Sequence, residues 1–184
     1  MKHPDICPWR LGPLLASPAR KALIDPIRTV GPYLSAGMRA MDVGAGMGFF
    51  TIPMSALVGD GGGVIAVDLQ SEMIAGLERR AGKAGRANIT THVCEPASLN
   101  VGEWDGAVDF ALLFWVLHEV PDAERTIGEI HRALAPNGKL LFAEPILVSR
   151  ERFRRSVDLI EQTGFALIDR PKIRISFAAV FVKE

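Results

Sequence analysis

Cysteine is scarce: Cys7 and Cys94 are the only two in 184 residues. A disulfide framework needs more, so a reducing cytoplasm is the expected setting. His3 and Cys7 sit four positions apart, but two ligands do not make a zinc site and no second pair follows at suitable spacing, so no metal is expected. Net charge is missing as well, because 21 Lys and Arg balance 21 Asp and Glu. Without an excess of positive charge the chain gains no general attraction to a phosphate backbone, which argues against a nucleic-acid partner. Long apolar runs are absent. The longest, Phe110 to Leu117, is too short to cross a bilayer, and the opening MKHPDICPWRLG has no continuous apolar stretch of the signal-peptide kind. A soluble cytoplasmic protein with no membrane partner is expected. Oligomeric state is not legible.

What is present is a β–α rhythm in a chain that is 48% hydrophobic. Residues 18–34 read as a helix that Pro26 kinks or splits, with Leu23, Ile27 and Val30 on one face. Strands are expected at 39–43, 64–68, 88–94, 107–114 and 139–143. Helices are expected from about 47 to 58 and 71 to 83, then after Asp122 and after Ser149. Ser71, Asp122 and Ser149 are plausible caps, and Gly164 ends the last helix. Strands alternating with helices make a parallel sheet covered on both faces. The tail breaks the rhythm. FALID and RISFAAVFV are separated by about four residues, too few for a helical crossover, so they form a hairpin and the last strand enters antiparallel.

The chemistry is carried by MDVGAGMGFF, residues 41–50. A phosphate-binding P-loop is excluded, since no Lys-Ser/Thr pair follows the glycines. The dinucleotide fingerprint needs a glycine where this chain has Phe49, and Asp42 would repel a pyrophosphate while suiting an amine or a cation. Asp68 ends the second strand, where a carboxylate accepts the two hydroxyls of a ribose. A ligand with a ribose and an amine but no phosphates fits, and S-adenosylmethionine is such a ligand.

The segments DVGAGMG, VIAVDLQSEMI, DFALLFWVLHEVPD and LAPNGKLLFAEP, in that order and closed by the hairpin, resemble the motifs of class I S-adenosylmethionine-dependent methyltransferases over residues 35–184. The resemblance implies an α/β fold: a doubly wound, Rossmann-like, seven-stranded, mostly parallel sheet with an antiparallel last strand. It implies that Gly44, Ala45, Gly46 and Gly48 pack against the methionine part of the cofactor and that Asp42 orients that loop or the amino group. Asp68 would take the ribose, with Leu69 against the adenine and Phe114 near the methionine end. Where the family usually has Gly-Asp-Ala, this chain has Cys94-Glu95-Pro96. Glu95 can supply the acid that meets the adenine amine, but Pro96 has no N–H to offer the ring. Residues 1–34, with the apolar CPWRLGPLL around Trp9, would be a lid on the substrate side.

His118 is the candidate catalytic base, since a histidine near its ordinary pKa can take a proton from a hydroxyl or amine. The alternative is a loop histidine satisfied by Glu119 or backbone. The expected acceptor is a small molecule, for no large insertion recognises a macromolecule, no Asn/Asp-Pro-Pro-aromatic tetrad is present, and scarce cysteine disfavours arsenite. Two other functions remain open: a non-catalytic domain that binds the cofactor as a sensor or partner subunit, and a nicotinamide-dependent oxidoreductase.

Overall fold

The fold was obtained as a computed structural model, and the structure describes residues 23–184. His3, Cys7, Trp9 and the expected helix start at Pro18 lie outside that range. Near the start of the described chain, the Asp25 carboxylate accepts the N–H groups of Ile27 and Arg28 and caps helix α1, Pro26–Val30. Pro26 therefore opens this helix, at a position where its missing N–H is not needed, which fits the expected split rather than a kink. Ile24, Thr29 and Val30 are buried, whereas Ile27, expected to face inward, is 57% exposed.

The strands are β1 Arg39–Val43, β2 Gly63–Asp68, β3 Ile89–Val93, β4 Val108–Phe114, β5 Leu134–Pro145, β6 Phe165–Asp169 and β7 Ser176–Lys183. They form one seven-stranded sheet in the order β3-β2-β1-β4-β5-β7-β6. Pairing is parallel from β3 to β5, and β7 runs antiparallel to both of its neighbours. The hairpin and its antiparallel last strand are as expected from the sequence, though its connection is six residues long rather than four.

The helices α2 Thr51–Val58, α3 Ser71–Lys83, α4 Ala123–Ala133 and α5 Arg150–Gln162 cover both faces. Side chains alternate across each strand, so successive residues serve opposite cores. Met41, Val43, Ala111 and Leu113 pack with Ile127 and Ile130 of α4 and with Phe153, Val157 and Ile160 of α5. Ala40, Phe110 and Leu112 pack with Val30, Leu34, Met54 and Val58 on the other side. Leu77 of α3 joins Ala45 and Ala66 there.

Three local expectations give way. Helix α2 begins at Thr51, not near Met47, because Gly44, Gly46 and Gly48 all take positive φ (75°, 53° and 81°) and keep the intervening chain in turns. Gln70 rather than Ser71 is the N-cap residue of α3. The Pro136-Asn137-Gly138 turn does not precede β5 but lies within it, where the register jumps from Val108↔Leu134 to Phe110↔Lys139 and Asn137 takes φ 63°. By contrast Asp122 and Ser149 cap α4 and α5 as expected, accepting N–H groups three residues on.

Candidate active site

The chain leaves β1 toward β2 and β3, then returns to the other side of β1 as β4. In an open α/β sheet such a reversal leaves a crevice beyond the carboxyl ends of the strands. A cavity of about 580 Å³ opens at that end, walled by the glycine loop, the ends of β1, β2, β4 and β5, the segment 94–99 and the turn after β4.

The loop's shape follows from its glycines. Gly44 and Ala45 donate to the Val67 carbonyl at 2.8 and 3.0 Å, which holds the loop against β2. A Cβ on Gly44 would sit 2.2 Å from Val116 Cγ2, and one on Gly48 would sit 2.3 Å from Leu77 Cδ1. At Gly46 a Cβ would meet nothing within 4 Å. Packing and positive φ together favour glycine at Gly44 and Gly48, and Gly46 borders open space. Asp42, 3% exposed, accepts the Thr51 hydroxyl at 2.5 Å and ties the end of β1 to the start of α2.

Asp68 is 8% exposed. Its Oδ2 accepts the Gly46 N–H at 2.8 Å and its Oδ1 the Gln70 N–H at 2.9 Å. Burial raises its pKa above the ordinary carboxylate value, against the opposing pull of the backbone N–H groups. Each carboxylate oxygen has two lone pairs, so capacity remains for the two hydroxyls of a ribose. Glu95 and Ser98 exchange backbone hydrogen bonds and close a tight turn that carries Pro96. That turn is anchored from behind, where buried Glu129 of α4 accepts the Ser98 hydroxyl at 2.6 Å and the Leu99 N–H at 2.5 Å. Burial, with the Asp68 charge nearby, pushes the Cys94 thiol up to about 11, so this cavity-lining cysteine is a neutral thiol rather than a nucleophile.

At the opposite end Phe114 leans on Phe50 and Trp115, with ring centroids 4.6 and 5.3 Å apart. Trp115 takes φ 62°, a conformation uncommon for a bulky residue. Its indole N–H donates to Ser176 Oγ at 3.0 Å, so the β7 start helps hold it. His118 Nδ1 lies 2.6 Å from Glu144 Oε2, and the His118 backbone N–H donates to Glu144 Oε1 at 3.0 Å. The Glu144 hydrogen bond raises the His118 pKa, outweighing the effect of burial. Glu119, the partner considered from sequence, is 3.8 Å from Nε2.

Of the residues singled out in the sequence, Asp42, Gly44, Ala45, Gly46, Asp68, Leu69, Glu95, Phe114 and His118 all line the cavity. Gly48 instead packs the loop against α3. Three residues escaped the sequence reading: Thr51, Glu129 and Glu144. Glu144 left a trace, being a lone carboxylate in the apolar run of β5, where an unpartnered charge is costly. Among the described residues no group of three His, Cys, Asp or Glu side chains could hold a metal ion, and no helix is long and apolar enough to cross a membrane.

The geometry agrees with comparisons to known proteins. A family profile described as a methyltransferase domain matches residues 34–171. The chain is 31% identical over 122 residues to an arsenite methyltransferase of Aquipseudomonas alcaligenes, covering 62% of this chain and 35% of that protein. It is 30% identical over 111 residues to a demethylmenaquinone methyltransferase of Shouchella clausii, covering 60% and 46%. The chain thus spans less than half the length of these curated relatives. The crystal structure of a SAM-dependent methyltransferase from Aquifex aeolicus superposes with a TM-score of 0.87 at 22% identity, over 97% of this chain and 100% of that one. That likeness establishes a Rossmann-like methyltransferase fold. With three quarters of its length inside the profile, the chain belongs to the methyltransferase domain family.

Proposed function

We propose that this chain transfers the methyl group of S-adenosylmethionine to a small-molecule acceptor. The observation that carries this is the charge of the cavity. Asp42, Asp68, Glu95 and Glu119 line it, and no Lys or Arg does so among the described residues. A pyrophosphate would meet like charge there, whereas a ligand bearing a sulfonium and an ammonium meets opposite charge. When bound, the cofactor supplies a methyl carbon open to in-line displacement. The residues of the chain hold and align the reactants, and alignment contributes most of the acceleration. Gly44, Ala45 and Gly46 border the methionine part, on a loop that Gly48 packs and Asp42 holds through Thr51. Asp68 accepts the ribose hydroxyls, Leu69 and Glu95 flank the adenine, and Phe114 walls the methyl end.

The acceptor side is apolar, with Phe50, Trp115, Ile146 and Leu147 among its lining residues. Those walls favour an aromatic organic acceptor. Arsenite, named in one relative, is a soft centre best held by several thiolates, and Cys94 is the single described cysteine. Residues 1–34 are read as the lead-in that carries the lid, and 35–184 as the cofactor-binding domain. A cytoplasmic location suits a chain with so little cysteine.

Calorimetric titration with S-adenosylmethionine, S-adenosylhomocysteine and NADH tests the cofactor. Binding of the first two, no binding of NADH, and a loss of about 1–3 kcal/mol in Asp68→Ala are expected. NADH binding, or none of the three, would overturn the reading. Conversion of bound cofactor to S-adenosylhomocysteine with an acceptor separates the enzyme from a non-catalytic binding domain.

A further inference from the structure

Glu144 lies on β5 with 1% of its surface exposed, in a strand whose neighbours Phe142 and Ala143 are fully buried. A carboxylate so placed must be satisfied, and among the described residues His118, in the turn after β4, meets both its oxygens. The arrangement has a chemical consequence. A carboxylate is an acceptor only, so the imidazole nitrogen 2.6 Å from it carries the proton. The backbone bond from the same residue to the other oxygen blocks rotation of the pair. Nε2 is then the bare nitrogen, and His118, not Glu144, lines the cavity.

We propose that Glu144 is a positioning residue that holds His118 as the Nδ1–H tautomer, with Nε2 ready to take a proton from an acceptor hydroxyl of the phenol or enol class. This rests on the methyltransferase reading above. In the step, the acceptor's O–H bond breaks and its proton passes to Nε2. The oxygen forms the new O–C bond, and the electron pair of the broken C–S bond stays on sulfur. The imidazolium later returns its proton to solvent. A neutral hydroxyl acceptor suits the acidic cavity, which repels a carboxylate. A thiol needs such a base less, because its ordinary pKa of about 8.5 lies below the value of about 10 for a phenol.

Three charged groups face His118: Glu144 from β5, Glu119 beside it in the turn, and Arg152 from α5, whose guanidinium donates to the His118 carbonyl at 2.9 Å. The two acids raise the His118 pKa from its ordinary 6.5 and Arg152 lowers it. The rising limb of the pH–rate profile therefore lies above that value, and removing the Glu144 charge moves it to lower pH.

Nitrogen-15 NMR of the imidazole, read on the protein alone and again saturated with S-adenosylhomocysteine, tests the tautomer. An Nδ1–H ring is expected in the wild type. In Glu144→Gln the tautomer should change or become mixed, and the His118 pKa should fall. An Nε2–H ring in the wild type, or an unchanged tautomer and pKa in Glu144→Gln, would overturn the proposal. The wild-type arm needs no variant, so a misfolded Glu144→Gln chain would leave it decisive. Methyl transfer from labelled S-adenosylmethionine to matched phenols, amines and thiols then reads the acceptor class. Phenol methylation with a pH limb that moves in Glu144→Gln supports it, and transfer to amines or thiols alone overturns it. Failure to bind S-adenosylhomocysteine would sink the methyltransferase reading instead, a result separable from the tautomer.

Discussion

Asp68 shows how burial sets the protonation of one carboxylate in the cavity wall. Its pKa is raised chiefly by burial, so the native state holds that proton more tightly than the unfolded chain does. Its contribution to stability is then greatest at low pH and is lost as pH rises through the window above the ordinary value of 3.8. Under the proposed ribose contact, ligand binding has the opposite sign. Hydroxyls donating to Asp68 favour its charged form and lower its pKa, so affinity is full above the folded pKa and falls as pH drops through it. Calorimetry of S-adenosylhomocysteine across the acid range should show this decline in the wild type and a flatter profile in Asp68→Ala. Equal slopes would remove Asp68 from the ribose site. His118 differs in kind, since its shift comes first from a hydrogen bond rather than from burial.

Within the glycine loop, two substitutions that look alike should behave differently. Gly44→Ala drives a methyl into Val116 at a positive φ, so a loss of about 2 kcal/mol or more in stability is expected. Gly46→Ala meets no neighbour and pays only the backbone strain of about 1–2 kcal/mol, yet its methyl borders the cavity. Thermal unfolding paired with S-adenosylhomocysteine titration should find stability worse hit in the first and affinity worse hit, relative to stability, in the second. Helix α4 acts on the site from behind. Glu129→Ala leaves the buried Leu99 N–H without its acceptor, a cost of about 1–3 kcal/mol. Hydrogen exchange across 95–100 should quicken more than in the interior of β4, and equal changes in both would argue against a tether. Segment order also explains which caps were legible: Asp122 and Ser149 act within their own helices, whereas Gln70 is fixed by Asp68 from the preceding strand.

Across the molecule, protection should follow strand position. β1 and β4 are nearly all buried, as is β5 from Leu140 to Glu144, while every residue of edge strand β3 has at least partial exposure. Amide exchange in β1 and β4 should report global unfolding, with β3 and β6 opening first. Uniform protection over all seven strands would contradict this. The same layout explains why the cavity sits where it does. The sheet's reversal leaves the ends of β1 and β4 uncovered, and the walls come from segments far apart in sequence, such as Gly44 beside Val116 and Trp115 beside Ser176.

Local physics was enough to place β1, β2 and α5, to make the tail a hairpin, and to bring out Asp42, the glycine loop and Asp68. Each of these rests on periodicity, capping or turn chemistry within a dozen residues. The start of α2 was not legible, because the positive-φ turns at Gly44 and Gly48 are set by what Val116 and Leu77 leave room for. Nor was the β5 bulge, which is a mismatch of register with β4. Glu144 stood in the sequence as an isolated charge in an apolar strand, which signals a partner without naming it. Only the pairing of β5 beside β4 decided that the partner is His118, since parallel register brings the ends of two strands thirty residues apart to one place.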